Sequence, residues 1–403
     1  MTSLAHSPTR PLDGFRVLDL TANVAGPLAC QVLCDLGADV LKVEPDEGEA
    51  ARRITATVAG FEHVTPYFSP NNRGKKSVRL DLSRTEGSSA LRRLIKGADV
   101  VVQGMRPGTM ERHGLGPVQV AEINPRCVYV SISAYGGGSE LEDRPGIDMI
   151  VQAEAGCLSE QPQDRLPTLI PFQLVDGATG HVAAQAVLAA LLHRERFGVV
   201  NEVKVSMYDV ACSLQSNYLT LHMNTPTQAS APPGNGRRPV AVEPSGVYPT
   251  GQGEIVLAAY VPPHWKRLVE LLQSSELAAD PRFADQGSRS RHAKELRAAL
   301  TDILRARSAE EWITLFAKAG LMAAHITPWR DVVESELFAR RGMRLRVRQA
   351  EMDVDVVRTP ALYSGFDTTL STDIPAAGEH DSALADPTVD AWSALNNSEG
   401  LVK

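Results

Sequence analysis

The chain has 403 residues, with 41 basic and 48 acidic side chains and a formal net charge of -7. It is 43% hydrophobic and 22% charged, a globular composition with ample chain to bury cores in two or three domains. Phosphate binding along a polymer needs a surplus of Lys and Arg, so the acidic balance argues against a nucleic-acid partner but leaves room for a local basic site. The chain opens on a strand-like run, Phe15–Leu20. Ala25–Leu36 follows with helical periodicity, closed by Gly37, and Asp39–Glu44 reads as a second strand. A helix near Gly87–Lys96 and strands Asp99–Gln103 and Cys127–Ser131 continue the alternation. Strands separated by helices imply a parallel sheet covered on both faces. Asp176–Arg196 is a long Ala- and Leu-rich helix, and Met207 to about His222 is another.

The next segment, Asn224–Pro239, is rich in Pro and Gly and reads as a linker. Gly246–Tyr260 alternates like a hairpin turning at Gly251 and Gly253. Amphipathic helices at His264–Leu272, His292–Leu304 and Ala309–Ala319 complete a compact α+β unit ending near Pro328. The remainder carries strand-like Leu345–Arg348 and Val354–Arg358 but is too short and irregular for a domain of its own.

The longest uncharged apolar stretch, Val182–Leu192, is broken by Gln185 and falls short of the ~20 residues a span needs, so no membrane helix is expected. Residues 1–10 are polar and lack the apolar core of a secretory leader. The five cysteines (Cys30, Cys34, Cys127, Cys157, Cys212) are odd in number and form no CxxC pair. They read as reduced thiols in a cytosolic protein, and no metal site is expected.

A β-α-β opening with Glu44 ending the second strand invites a dinucleotide-binding reading, but the first turn, Thr21–Pro27, has a single glycine. No Walker loop, HExxH or GxSxG occurs. Arg73–Lys96 holds eight basic and two acidic side chains, a local charge of +6. It is either a solvated face or a phosphate clamp, which Arg106 and Arg112 would extend. Asp176, in Gln173-Leu174-Val175-Asp176-Gly177-Ala178-Thr179-Gly180, is either the N-cap of the long helix or a nucleophile. Its small neighbours leave the carboxylate uncrowded, and the helix N-terminus favours its ionised form. An accessible carboxylate suits attack on a thioester. His181 follows Asp176 by five and reads as packing on the helix, His264, His325 and His380 have no partner at useful spacing, and Tyr208 and Asp209 read as capping or packing residues.

Several ordered runs then share one pattern. They are Pro11–Thr21 with Ala25-Gly26-Pro27, Leu36–Pro45, Asn72–Val78, Arg106-Pro107-Gly108, Gly114-Leu115-Gly116, Asn124-Pro125-Arg126, Arg144–Asp148 and Gly378-Glu379-His380. Over about residues 11–381 the chain resembles the class III acyl-CoA transferases (the CaiB/BaiF, or formyl-CoA transferase, family). The resemblance implies an α/β fold. A large Rossmann-like CoA-binding domain with a parallel sheet is formed by residues 11–223 and completed by 329–403. Residues 224–328 form a smaller α+β domain with its linker. It also implies an interlocked homodimer, with the stretch near Pro232 crossing between domains.

By the same resemblance, Asp176 is the catalytic aspartate, attacking a donor acyl-CoA and passing through an aspartyl-CoA thioester to a carboxylic acid acceptor. CoA thioesters are then substrates, and no permanently bound cofactor, membrane or nucleic-acid partner is implied. Carried over by position, the CoA contacts are Val24, Ala25, Leu80, Asp81, Ser83, Gly104, Met105, Arg106, Arg112, Ile147 and Asp148. Pro45 and Ser83 stand where a basic residue often serves. Related racemases use a histidine where Ile147 stands and a glutamate where Val261 stands, so transfer is expected over α-proton chemistry. A racemase and a catalytically inactive CoA-binding protein are the alternative readings. The glycine loop of formyl-CoA transferases is replaced by the shorter, basic Gly234-Asn235-Gly236-Arg237-Arg238. Arg237 or Arg238 meets an acceptor carboxylate or is merely solvated.

Overall fold

The structure is a computed structural model that describes residues 10–159, 166–200, 202–225, 242–370 and 373–398. The Gly234–Arg238 loop and the crossing near Pro232 lie outside them. The chain forms two compact units, one within Met1–Ser159, Pro167–Leu219 and Ala339–Lys403 and the other within Glu160–Leu166 and Thr220–Phe338. Their later boundaries fall at 219/220 and 338/339, where the sequence reading placed 223/224 and 328/329.

In the larger unit, β1 (Arg16–Leu20), α1 (Ala25–Asp35) and β2 (Asp39–Glu44) lead to β3 (Lys76–Arg79) and α2 (Thr85–Lys96). β4 (Val100–Gln103), α3 (Thr109–Arg112), α4 (Pro117–Ile123) and β5 (Val128–Ser133) follow. Then come α5 (Asp148–Glu154), α6 (Leu174–Phe197), β6 (Glu202–Ser206) and α7 (Met207–Leu214). All six strands are parallel, in the order β3-β2-β1-β4-β5-β6. Alternate residues of β1 explain its unbroken apolar run. Val17 packs with Val40, Val100, Leu33 and Val187 on one face. Leu18 packs with Leu41, Val101, Leu91 and Leu94 on the other. A sheet buried on both faces needs both sets.

The helix expected from Asp176 begins two residues earlier and runs 24 residues. By length and composition alone α6 could cross a bilayer, which the sequence reading had not found. Here it is a core helix whose Ala183, Ala184 and Val187 pack with α1 and the sheet. The expected helix from Met207 breaks at Gln215, whose amide is bonded to the carbonyls of Ala155 and Ala211.

Two strands of the parallel sheet were not visible in the sequence. β3 hides in a basic segment, and β6 alternates charged and apolar residues at the sheet edge. The return segment adds a small sheet of Arg344–Gln349, Met352–Val357 and Asp373–Ile374. It docks through Gly74 N donating to Asp373 O at 2.6 Å and the buried Trp392 indole donating to Leu94 O at 2.9 Å.

The smaller unit has an antiparallel sheet of Ser245–Pro249, Glu254–Ala258 and Met322–His325. The first two strands are the expected hairpin; the third was not foreseen. Helices Pro262–Leu272, Ala293–Leu304 and Ala309–Lys318 cover it around Tyr248, Leu257, Leu268, Leu300 and Phe316. Ser308 and Glu311 form a reciprocal cap on the last helix.

Candidate active site

Neighbouring strands β1 and β4 leave the sheet in opposite directions through their helices, which opens a crevice at their carboxyl ends. A cavity of about 540 Å³ lies there. Its floor is the turn Thr21–Gly26 after β1, Gly104 after β4, Ile132–Ala134 at the end of β5 and Met207 after β6. The turn is tight. Asn23 adopts a left-handed φ of 67°, and a Cβ on Gly26 would sit 2.3 Å from that of Thr21. Gly180 lets α6 cross α1 closely, since a Cβ there would lie 2.8 Å from Ala25 O. That crossing places the first turn of α6, with Asp176, against the cavity.

Asp176 is half-buried, and its side chain does not cap its helix. The cap comes from Asp148 on α5. One of its oxygens accepts the amides of Val175 at 2.8 Å and Asp176 at 2.9 Å. The other accepts from Gln152, whose own amide oxygen accepts Ile170 N at 3.1 Å. Two consequences follow. First, burial and then the charge of Asp148 push the Asp176 carboxyl up to about 7, against the expectation that the helix N-terminus keeps it fully ionised. Second, the Val175 and Asp176 amides are already engaged and offer no free donors to an oxyanion.

The polar groups that remain on the wall are Thr21, Asn23, Tyr67, Ser133, Gln152 and Gln173. Gln173, just before α6, donates to the Tyr67 hydroxyl at 2.8 Å. Sequence reasoning missed Tyr67, Gln152 and Gln173. Only the i, i+4 spacing of Asp148 and Gln152 hinted at a pair. The rest of the described wall is apolar, chiefly Ile54, Ile132, Ile147, Met149, Leu169 and Phe172, and among the described residues no Lys, Arg or His lines it. Among the described residues no cluster suits a metal ion.

Of the residues singled out in the sequence, Val24, Ala25, Gly104, Ile147, Asp148 and Asp176 line this cavity together. Leu80 and Asp81 line a second cleft of about 720 Å³ with Arg79, Arg84 and Arg93. Ser83, beside it, bonds Asp81. Met105, Arg106 and Arg112 line neither; the two arginines are exposed, and Arg112 bonds the Thr109 hydroxyl at 2.8 Å.

Three cations of the +6 stretch, Arg73, Lys75 and Lys76, turn inward and are closed to a phosphate, whereas Arg79, Arg84 and Arg93 border the second cleft. Arg73 is fully buried in a two-pronged pair with Asp35. Lys75 is paired with Asp19 at 2.8 Å and Lys76 with Asp39 at 2.9 Å. Arg79 pairs with Asp381, Arg84 with Asp81, and Arg92 bonds Gly114 O.

Residues 12–381 match the profile of CoA-transferase family III. The chain belongs to this family. As a family III CoA-transferase it is an enzyme that uses CoA thioesters as substrates. It is similar to a probable fatty acyl-CoA transferase, Rv3272, of Mycobacterium tuberculosis, 48% identical over 94% of this chain and 98% of the relative. The crystal structure of Rv3272 in an orthorhombic form superposes with a TM-score of 0.85 at 48% identity, covering 93% of this chain and 99% of that one. A CaiB/BaiF family protein from Brucella suis superposes with a TM-score of 0.79 at 30% identity, over 93% and 98% of the two chains.

Proposed function

We propose that this family III CoA-transferase uses Asp176 as its nucleophile and takes an apolar acyl group. The carrying observation is the division of labour between the two carboxylates of the cavity. Asp148 has its oxygens tied to two backbone amides and Gln152, whereas Asp176 has no such ties and opens into the cavity. In the reaction, the Asp176 carboxylate attacks the thioester carbonyl, and the C–S bond breaks to give a mixed anhydride and CoA thiolate. The thiolate attacks the aspartyl carbonyl and displaces the donor acid as its carboxylate, leaving an aspartyl-CoA thioester. The acceptor carboxylate then runs these steps in reverse. Each exchange is easier than a direct one. The Tyr67 hydroxyl, oriented by Gln173, is a donor on the wall for the oxyanions that form.

The apolar wall favours an aliphatic acyl chain, in line with the name of the mycobacterial relative. Among the described lining residues no cation would meet the distal carboxylate of a dicarboxylic acid, which would lose its water there at a penalty of several kcal/mol. The racemase alternative finds no second free base among the described lining residues: Asp148 is tied by its hydrogen bonds, Ile147 cannot titrate, and neither His nor Glu is present. Val24, Ala25, Gly104 and Ile147 would surround the thioester end. Arg106 and Arg112 are the exposed phosphate partners for the nucleotide end. The interlocked homodimer in the cytoplasm remains part of this proposal, and light scattering checks the dimer.

The test is a screen of acyl-CoA donors against carboxylic acids, read by mass spectrometry, with hydroxylamine added to trap acyl or CoA adducts. Aliphatic acyl-CoA should be turned over at least 100-fold more efficiently than succinyl-CoA, with adducts on Asp176. Undiminished transfer by Asp176→Ala would refute the mechanism. Rapid exchange of the α-hydrogen of a 2-methylacyl-CoA for deuterium would favour the racemase.

A further inference from the structure

Beneath the cavity lies a cluster of buried charges that the reaction scheme does not use. Asp19, Lys42, Lys75 and Glu49 come from β1, β2 and the loops after them, and all four are buried. Lys42 pairs with Glu49 at 2.6 Å and stands 3.8 Å from Asp19. Lys75 reaches Asp19 at 2.8 Å and Asn72 Oδ1 at 2.9 Å. Burial alone would raise the pKa of Asp19, but the two ammoniums outweigh it and hold the carboxyl well below the usual range.

These charges grip one structure, the turn that floors the cavity. Lys42 Nζ donates to Thr21 O at 3.0 Å, and Lys75 Nζ donates to Pro27 O at 2.9 Å. Asp19 accepts both the amide of Thr21, at 3.0 Å, and its hydroxyl. The turn is therefore held at both ends from below while six of its residues, Thr21 to Gly26, face the cavity above. It also needs holding, because Asn23 has a left-handed backbone and Gly26 closes onto Thr21. Burying four ions is costly, and an apolar core of the same volume would serve stability as well.

We propose that Asp19, Lys42 and Lys75 form an ionic clamp that holds the Thr21–Pro27 turn in the shape the transfer at Asp176 requires. They are positioning residues, acting through the turn. The inference rests on the proposed reaction at Asp176, but one of its readouts does not depend on that reaction.

Two variants test it. Lys75→Met keeps the length of the side chain and removes its charge and three bonds. Thr21→Val keeps the shape and removes one hydroxyl bond to Asp19 without stranding a charge. Each is followed by hydrogen–deuterium exchange and by steady-state kinetics. In both variants, exchange in peptides covering residues 18–30 should rise at least tenfold over wild type, with the rest of the chain unchanged. The kcat should fall at least tenfold for Lys75→Met and severalfold for Thr21→Val, with KM for the acyl-CoA within twofold. Should Lys75→Met not fold, Thr21→Val decides. Unchanged exchange across 18–30, or unchanged kcat in a folded variant, overturns the clamp, as does a loss carried by KM alone. If wild type transfers no CoA, the Asp176 reading fails, while the exchange data still decide whether the clamp holds the turn.

Discussion

Replacing Asp176 by Asn should stabilise the protein at neutral pH while abolishing transfer. In the native state the carboxyl titrates near 7 rather than at its ordinary 3.8. A shift of about three units corresponds to about 4 kcal/mol, at 1.36 kcal/mol per unit. Because the group is half-buried and meets solvent through the cavity, about half of that, about 2 kcal/mol, is the expected effect. The sign follows from linkage. Below about pH 4 Asp176 is protonated in both folded and unfolded chains, and its charge costs nothing. Between about pH 4 and 7 the unfolded chain ionises while the native carboxyl resists, so stability falls as pH rises. Above about pH 7 the loss is complete and constant. Asn carries no charge at any pH. Thermal melts of the two proteins should therefore coincide near pH 4 and separate progressively to pH 8, where Asp176→Asn melts several degrees higher. A gap that does not vary with pH, or a variant less stable at pH 8, would refute the argument that burial and Asp148 strain this carboxylate. The same titration should appear in the wild-type rate, which rises with pH through about 7 as the nucleophile ionises.

Other substitutions probe the surroundings. Asp148→Ala removes the cap from α6, costing about 1–2 kcal/mol in chemical denaturation. It should also move the midpoint of the pH–rate profile to lower pH, since a like charge has been removed. Gly180→Ala forces a Cβ to within 2.8 Å of Ala25 O, so it should cost about 1–3 kcal/mol and lower kcat as α6 shifts against α1. Arg73→Ala leaves Asp35 buried without its guanidinium, which should cost about 3–5 kcal/mol, read as a large fall in melting temperature. A phosphate-binding role for Arg73 would instead raise KM for CoA thioesters with little loss of stability.

The sequence spoke clearly where structure is set by near neighbours. β1, α1 and β2 announced themselves through apolar periodicity and the glycine after α1, and the hairpin of the smaller unit through its turn glycines. The fate of charged residues was much less legible. A run of eight basic side chains looks like a surface, and composition offers no hint that Arg73, Lys75 and Lys76 turn inward. Their partners Asp35, Asp19 and Asp39 lie 38, 56 and 37 residues away. Pairings of that range belong to the tertiary fold. The same holds for the cap on α6. Asp176 sits where a local rule expects the capping residue, yet Asp148 takes that place from 28 residues away. The reversal matters for chemistry, because it leaves the Asp176 carboxylate free of its own helix. Tyr67 and Gln173 were missed for a related reason, since neither means anything until the cavity brings them within 2.8 Å.

The return of the chain to the larger unit bears on how the protein is made. Arg73 and Asp35 share their buried pocket with the hydroxyl of Thr359, and Lys76 reaches Asn396 as well as Asp39. Trp392 fills the core beneath α2. During synthesis the strands of the parallel sheet leave the ribosome long before these residues do. Until then the nascent sheet carries an open hole where Trp392 belongs and unsealed charges along its β3 edge. The whole smaller unit must be translated in between. The larger unit therefore cannot close these contacts until more than a hundred further residues have been added to its amino-terminal half.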